Sequence, residues 1–472
     1  MADLQQDWHC QNAGLSSATK ARLEIGERRQ ASILVLAPVG RIDNLTSGEF
    51  QTRLLAAVSC RSADVIIDFS GVDYISSRGL HALMTASRRK SKEQRLAVAH
   101  LNAVVHEIFT ISRFTHLVPI FATIEEARAA WDMPSPPQPA EPRTGLKPDP
   151  DAPLRVRFWG TRGSLPAPMQ ESVIRSKIRG ALLAARGQTL DTPDAVDAFI
   201  DDALSFTVRG TYGGNTSCVE IIAGGDEYVL CDLGTGVREF GNHILREHGR
   251  RCEHCFNIFL SHPHWDHIMG FPFFAPAYIP GNHIRIFGCH QGLEDALGTQ
   301  HSAPWFPVDF RSLAATIEFV PLEPGEVCQV AGLWVTAIEQ LHSGDSYAYR
   351  FYKGAQSVVY STDCEHEYDC LHESYPFVQF CRSADLLIFD AMYSLGDTVS
   401  VKEHWGHSSN VVAVELAQAA QVKRLALFHH DPVLDDRMLE VVLDDTMRFE
   451  AISRRGAKVD VISAYDGLEL TV

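Results

Sequence analysis

Three histidines and one aspartate stand within six positions in the run His262-Pro263-His264-Trp265-Asp266-His267. Imidazoles and carboxylates are the side chains that hold divalent cations, and so dense a run of both is a metal-binding pattern. The apolar stretch 256–260 precedes it, so the run begins where a strand ends. On an extended chain His262 and His264, two apart, project to one side and can grip one ion. Asp266 and His267 lie beyond the turn and can reach a second. Two ions need more ligands than these four, which predicts further His or Asp residues at strand ends downstream. His342 follows the apolar run 334–338, Asp363 closes the run 357–362, and His429 follows the run 424–428.

The elements around these residues read as strands first and helices later. A short strand over 154–158 leads into Trp159-Gly160-Thr161-Arg162-Gly163-Ser164, and Tyr212-Gly213-Gly214-Asn215-Thr216-Ser217 precedes strands over 219–222 and 228–232. Strands separated by Gly-rich turns, with helical patterns arriving later, predict a sandwich of sheets with outer helices. Between them an insertion over 167–209 carries two amphipathic helical patterns, 172–185 and 193–204, that would cover the site, bind substrate or elaborate the surface. Phe271-Pro272-Phe273-Phe274 and Trp305-Phe306-Pro307 are aromatic enough to line a pocket for a flat group, and equally suited to core packing.

With 472 residues, 45% hydrophobic and 21% charged, the chain is long enough for two or three domains and lies within the globular range. Its 42 Lys+Arg against 59 Asp+Glu give a formal charge of −17, which argues against general affinity for nucleic acid or anionic lipid. The 11 cysteines are odd in number and scattered, fitting a reducing, cytoplasmic compartment. Cys252 and Cys255 form a lone C-x-x-C without a second pair and are given no role. No apolar stretch reaches the ~18 residues of a membrane span, and the first residues lack the features of a signal peptide.

The Pro-rich segment 133–153 reads as an extended spacer between a domain over 1–132 and one over 154–472. The first domain alternates apolar runs and helical patterns: strands over 33–39, 65–69, 96–101 and 118–120, and helices over 47–58, 79–87, 103–111 and 124–131. That alternation predicts an α/β unit with a mostly buried sheet. Its strings GRIDNLTSGEF and ADVIIDFSGVDYISSRGLHALMTA resemble the sulfate-transporter/anti-sigma-antagonist (STAS) domain. The resemblance implies docking to a protein partner, an anti-sigma factor or its kinase, and a phosphoacceptor serine at the strand-to-helix turn. By position that is Ser77, with Ser76 the alternative. A phosphate there would meet free backbone N–H groups and the positive end of a helix dipole. Ser76 stands where many antagonists carry an aspartate and Arg78 where they often carry a small residue; the plain reading is that both serines cap a helix starting near Gly79.

The order HxHxDH, lone His, lone Asp, late His resembles the metallo-β-lactamase fold, in the phosphodiesterase branch with tRNase Z and the cyclic-phosphate phosphodiesterases. FWGTRGSLP, YGGNTSC, Cys231-Asp232-Leu233-Gly234-Thr235-Gly236, FPFFAPAY, WGHSS and LFHHDP carry the likeness over 154–472. The resemblance implies an αββα sandwich in which His262, His264 and His342 hold one metal, Asp266, His267 and His429 the other, and Asp363 bridges them. His430 competes with His429 for the last place. It further implies that His407, in Trp405-Gly406-His407-Ser408-Ser409, is a general acid, with His404 nearby able to share the role; a helix-capping histidine is the plain alternative. Asp266 would also orient the attacking water, and Asp232 would support a ligating histidine from behind. Zn²⁺ suits the histidine-rich set and Mn²⁺ the carboxylates.

The sequence therefore predicts an α/β chain of a STAS-like domain and a metallo-β-lactamase αββα sandwich. Its expected activity is two-metal hydrolysis of a small cyclic nucleotide or cyclic phosphate, in a cytoplasmic homo-oligomer. Hydrolysis of lactones or thioesters on the same metals, and a partner-switching protein with the metal domain as scaffold, are the alternatives.

Overall fold

The computed structural model describes residues 23–30, 32–59, 63–91, 94–112, 114, 118–132, 149, 152–249, 253–366, 374–394, 404–454 and 456–472. The chain divides into two compact units, Met1–Ala140 and Glu141–Val472. Most of the Pro-rich segment 133–153, and Cys252 of the C-x-x-C pair, lie outside the described residues.

In the first unit β1 (Glu24–Gln30), β2 (Ile33–Ile42), β3 (Asp64–Asp68), β4 (Gly71–Ile75), β5 (Leu96–Ala99) and β6 (Ile120–Phe121) form one sheet, ordered β1-β2-β3-β5-β6 with β4 on β2. Only the β1–β2 pair is antiparallel. Strand β3 is buried along its whole length, because helices cover both of its faces. Val65 and Ile67 pack with Phe50 and Leu54 of α1 (Ser47–Ser59), Leu83 of α2 (Ser77–Arg89) and Phe109 of α3 (Ala103–Ile111). Ile66 faces the other way, onto Ile124 and Ala127 of α4 (Ile124–Asp132). Helix α2 begins two residues before the expected start at Gly79. Ser76 is its N-cap, its hydroxyl accepting from the Gly79 amide at 3.4 Å, and Ser77 is its exposed first residue.

The second unit holds two seven-stranded sheets. The first runs β12-β11-β10-β9-β8-β7-β20, from β7 (Arg155–Gly160), β8 (Cys218–Ile222), β9 (Tyr228–Cys231), β10 (Cys255–Phe259), β11 (His283–Gly288), β12 (Thr316–Pro321) and β20 (Glu469–Thr471). The second runs β13-β14-β15-β16-β17-β18-β19, from β13 (Val327–Val330), β14 (Leu333–Gln340), β15 (Ser346–Lys353), β16 (Gln356–Ser361), β17 (Leu386–Asp390), β18 (Arg424–Phe428) and β19 (Asp460–Ser463). Period-two alternation splits each strand between two cores. Leu386, Ile388, Ala426 and Phe428 meet Phe158, Val219, Ile221 and Phe259 between the sheets. Leu387, Phe389, Leu425 and Leu427 face outward instead, onto helices.

Helices α5 (Glu171–Ala184), α6 (Pro193–Ala203) and α7 (Phe206–Arg209) fill the β7–β8 connection, α7 being unannounced by the sequence pattern. Val237, Phe240 and Ile244 of α8 (Gly236–His248) cover the first sheet, followed in the chain by α9 (Trp265–Ile268) and α10 (Leu293–Gln300). α11 (Pro376–Cys381) and α12 (Asn410–Ala419) cover the second, and α13 (Asp436–Ser453) packs beside α12. The layers are helix, sheet, sheet, helix. Among the described residues no helix is long and apolar enough to cross a membrane.

One strand residue carries a pH-dependent strain on the fold. Glu220 on β8 is buried, and burial pushes its carboxyl up to about 7 despite the Trp159 indole N–H donated at 2.9 Å and the nearby Arg157. The folded chain thus keeps a proton that the unfolded chain releases near the ordinary glutamate value, so stability falls as pH rises through this window. Glu220→Gln is expected to remove that loss and to raise stability at pH 8 by up to about 3 kcal/mol. At pH 4 the two proteins should melt alike; equal denaturant midpoints at pH 8 would contradict the expectation.

Candidate metal centre

Every residue of the centre sits where a strand of the second unit runs out. The β9–β10 and β16–β17–β18 pairings are parallel, so these strands deliver their C-terminal ends to one edge. Asp232 follows β9, the 262–267 loop follows β10, His342 follows β14, Asp363 follows β16 and His429 follows β18. His264 is the N-cap of α9, whose single turn brings Asp266 and His267 back toward His262. Three of these residues, Asp232, Asp363 and His429, adopt left-handed backbone with φ of 61°, 46° and 57°. That conformation bends the chain sharply enough to aim the side chain back over the sheet edge, and it strains a non-glycine residue.

Besides a third cluster of Asp390, His407 and His429, two groups of ligand atoms result, one of His262, His264, His342 and Asp363, the other of Asp266, His267, Asp363 and His429. The Asp363 carboxylate is split between them. Its Oδ2 lies 3.6 Å from both His262 Nε2 and His342 Nε2, while its Oδ1 lies 3.1 Å from both His267 Nε2 and His429 Nε2. Asp266 Oδ2 completes the second group, 3.1 Å from His267 Nε2 and 3.2 Å from His429 Nε2. All but His264 are largely buried.

These donors fit divalent cations. His342 Nδ1 donates to the Gly406 carbonyl at 2.8 Å, which leaves a bare Nε2 only 3.1 Å from His264 Nδ1. Two ring nitrogens so placed are reconciled by a proton on His264 Nδ1 or by a shared cation. The buried Nε2 atoms of His262 and His267 likewise have no hydrogen-bond partner. Charge points the same way. Burial opposes an imidazolium at His267, yet Asp266, Asp363 and Asp232 together raise its pKa well above the ordinary value. Burial likewise opposes the Asp363 carboxylate, but His429, His267 and His262 hold it well below the usual range. The cluster demands positive charge.

Supporting groups fix the ligands. Asp232 Oδ2 accepts from His267 Nδ1 at 2.8 Å, the Ser261 hydroxyl at 2.8 Å and the Tyr360 hydroxyl at 2.6 Å, and its Oδ1 accepts from the Ser261 amide at 2.7 Å. Asp266 Oδ2 accepts from the Ser164 amide at 2.7 Å. The loop bearing that amide is pinned by the buried Arg162, which donates to the Gly213, Asp431 and Leu434 carbonyls. A Cβ on Gly163 would lie 2.5 Å from the His429 ring and one on Gly406 2.2 Å from His342 Nδ1, so only glycine leaves the two imidazoles their places.

His407 stands beside both groups, its ring centroid 5.2 Å from that of His342 and 5.1 Å from that of His429. Its Nδ1 is 2.8 Å from Asp390 Oδ2, which leaves Nε2 for other work. Burial disfavours its charged form, but Asp390 overcomes this and pushes the imidazole up to about 9. Asp390, Ser164, Ser261 and Tyr360 are absent from the sequence-based candidates. Asp390 alone left a readable trace, since it closes an apolar strand as Asp363 nearly does. His404 is exposed and belongs to none of the ligand groups, its amide held by Glu365. His430 turns into the core, where Nε2 bonds the Ala464 carbonyl at 2.9 Å and burial lowers its pKa to about 3. Phe271 and Phe274 are core residues, whereas Phe273 and Trp305 are exposed.

Residues 25–127 match the STAS domain family, and residues 227–430 match the beta-lactamase superfamily domain. BtrV of Bordetella bronchiseptica, named as an anti-sigma factor antagonist, is 29% identical over 100 residues, 21% of this chain and 86% of that protein. Ribonuclease Z of Thermoplasma acidophilum is 24% identical over 237 residues, 41% of this chain and 74% of that protein. Among solved structures, the metallo-beta-lactamase fold protein YhfI of Bacillus subtilis is similar over 67% of this chain and 98% of its own, at 16% identity and a TM-score of 0.43. The chain thus joins an N-terminal STAS domain to a C-terminal domain of the metallo-β-lactamase fold that gathers His and Asp side chains able to hold metal ions.

Proposed function

We propose that the C-terminal domain is a two-metal phosphodiesterase acting on a small cyclic nucleotide or cyclic phosphate. The observation that carries this reading is the buried His407–Asp390 couple beside the two ligand groups. An acid placed there suits a reaction that must expel an alkoxide. His262, His264 and His342 would hold one cation, Asp266, His267 and His429 the other, with Asp363 shared. Bound cations supply Lewis-acid charge for the phosphate oxygens and an acidified water as nucleophile. Zn²⁺ suits the imidazoles, and the carboxylates admit Mn²⁺.

The protein's own groups do the rest. Asp266, held by the Ser164 amide, orients the attacking water as its oxygen adds to phosphorus opposite the leaving group. Asp390 keeps Nδ1 of His407 protonated and the ring fixed. His407 then gives its Nε2 proton to the departing oxygen as the P–O bond breaks, opening the ring to a phosphomonoester that carries the freed hydroxyl. Asp232 holds His267 in the tautomer that leaves Nε2 bare.

The STAS domain is read as the docking module for a protein partner, an anti-sigma factor or kinase-like protein. Ser77 is the better phosphoacceptor, since it is exposed at the start of α2 while the Ser76 hydroxyl serves as the cap. We place the protein in the cytoplasm. Assays of the metal-loaded chain on bis-p-nitrophenyl phosphate, cyclic nucleotides and lactones test the enzymatic reading. Phosphodiester turnover is the expected result. Brisk lactone cleavage without any phosphodiester cleavage would defeat it.

A further inference from the structure

Three successive residues beyond β16 serve the centre in different ways. Asp363 carries the carboxylate shared between the two ligand groups. The carbonyl of Cys364 accepts from the Ser408 hydroxyl at 2.7 Å and so grips the chain just after His407. Glu365 grips it just before. Its Oε1 accepts from the His404 amide at 3.0 Å and its Oε2 from the Gly406 amide at 2.9 Å.

Those two amides reach one carboxylate because the chain between them is sharply bent. His404 and Gly406 both hold left-handed backbone, with φ of 65° and 80°. Such bends turn neighbouring N–H groups toward one point and make a seat for an anion. The glutamate fills that seat with charge-assisted hydrogen bonds, the strong kind. A histidine at positive φ is strained, and the carboxylate opposes its relaxation.

A ring of hydrogen bonds then passes through the first ligand group. The Glu365 amide donates to the Leu341 carbonyl at 2.9 Å, the Gly406 amide donates to the Glu365 carboxylate, and His342 Nδ1 donates to the Gly406 carbonyl at 2.8 Å. Leu341 immediately precedes His342, and Gly406 immediately precedes His407. The ring therefore fixes the backbone that carries His407 relative to the imidazole of His342.

We propose that Glu365 is a positioning residue for His407: its carboxylate holds the 404–406 segment in the bend that presents the His407 imidazole beside His342. Asp390 sets the protonation of that ring and Glu365 sets its place. The assignment rests on the acid role given to His407 above.

Glu365→Gln tests it in the full-length chain. A carboxamide has a single accepting oxygen, so one of the two amides loses its partner while the size is kept. In the metal-free protein, hydrogen exchange of the 404–407 amides should run about tenfold faster than in wild type, with that of β16 unchanged. With metal in excess, kcat on an alkyl or cyclic phosphodiester should fall about 10–100-fold while KM and metal content hold. A nitrophenyl ester, whose leaving group needs no proton, should lose less than about twofold. In a His407→Ala background the same substitution should add nothing, because it acts through the group already removed. Equal losses on both esters, a full additional loss on top of His407→Ala, or unchanged exchange at 404–407 would each overturn the assignment while leaving the phosphodiesterase reading intact. A wild type inert toward every phosphodiester would defeat that reading, and this assignment with it.

Discussion

Asp363→Ala is expected to empty both halves of the metal centre at once. Among the described residues no other presents one carboxylate oxygen to each ligand group, with Oδ2 toward His262 and His342 and Oδ1 toward His267 and His429. Its removal also takes away a buried negative charge that offsets the cations, leaving three imidazoles in the first group and Asp266 with two imidazoles in the second. Metal analysis should show the wild-type chain carrying two divalent ions and the variant essentially none. Phosphodiester turnover should fall on the order of 10³-fold or more, the equivalent of several kcal/mol of lost electrostatic stabilisation. His342→Ala, which touches only the first group, should lose one ion and keep the other. Two ions retained by Asp363→Ala would contradict the shared-carboxylate reading.

His407→Ala should instead leave the metal content untouched and lower kcat by about 10²–10⁴-fold. The size of the loss should follow the leaving group. An alkoxide needs a proton as it departs, whereas p-nitrophenolate does not, so the variant should be nearly as fast as wild type on a nitrophenyl ester and far slower on an alkyl or cyclic ester. A purely structural role for His407 would lower both equally. Asp390→Asn keeps the shape and removes the charge that sustains the imidazolium; it should reproduce the same leaving-group pattern with a smaller loss, about 10–100-fold. The serines after His407 have duties that do not depend on chemistry. Ser408 bonds the Cys364 carbonyl at 2.7 Å and Ser409 caps α12, which explains why a histidine here is held so firmly.

The legible part of this molecule is the part where chemistry and periodicity coincide. The 262–267 run stands out because four ionisable residues crowd onto one strand end, and His342, Asp363 and His429 because each breaks an apolar run. The helices of the first domain read clearly from their 3.6-residue spacing. β1 does not, since Glu24–Gln30 lacks alternation and earns its place only by pairing with β2. α9 hides inside the ligand run because one helical turn has no period to detect. Asp390 has a strand-end position like the ligands, but its partner His407 lies 17 residues on and only the fold joins them. The Ser164 amide is illegible in principle, because a backbone donor has no residue type. The aromatic strings are split by facing: Phe271 and Phe274 fall on the inside of a short turn and Phe273 on the outside, a distinction that depends on the neighbouring α8.

Asp232, Asp363 and His429 hold left-handed backbone that glycine would adopt freely, at a strain on the order of 1–3 kcal/mol each. At three positions the chain thus carries residues that make the empty domain easier to unfold. Cations that bind only the folded chain return that stability by mass action. The lifetime of this protein in a cell, and not only its turnover, is thereby tied to the supply of metal.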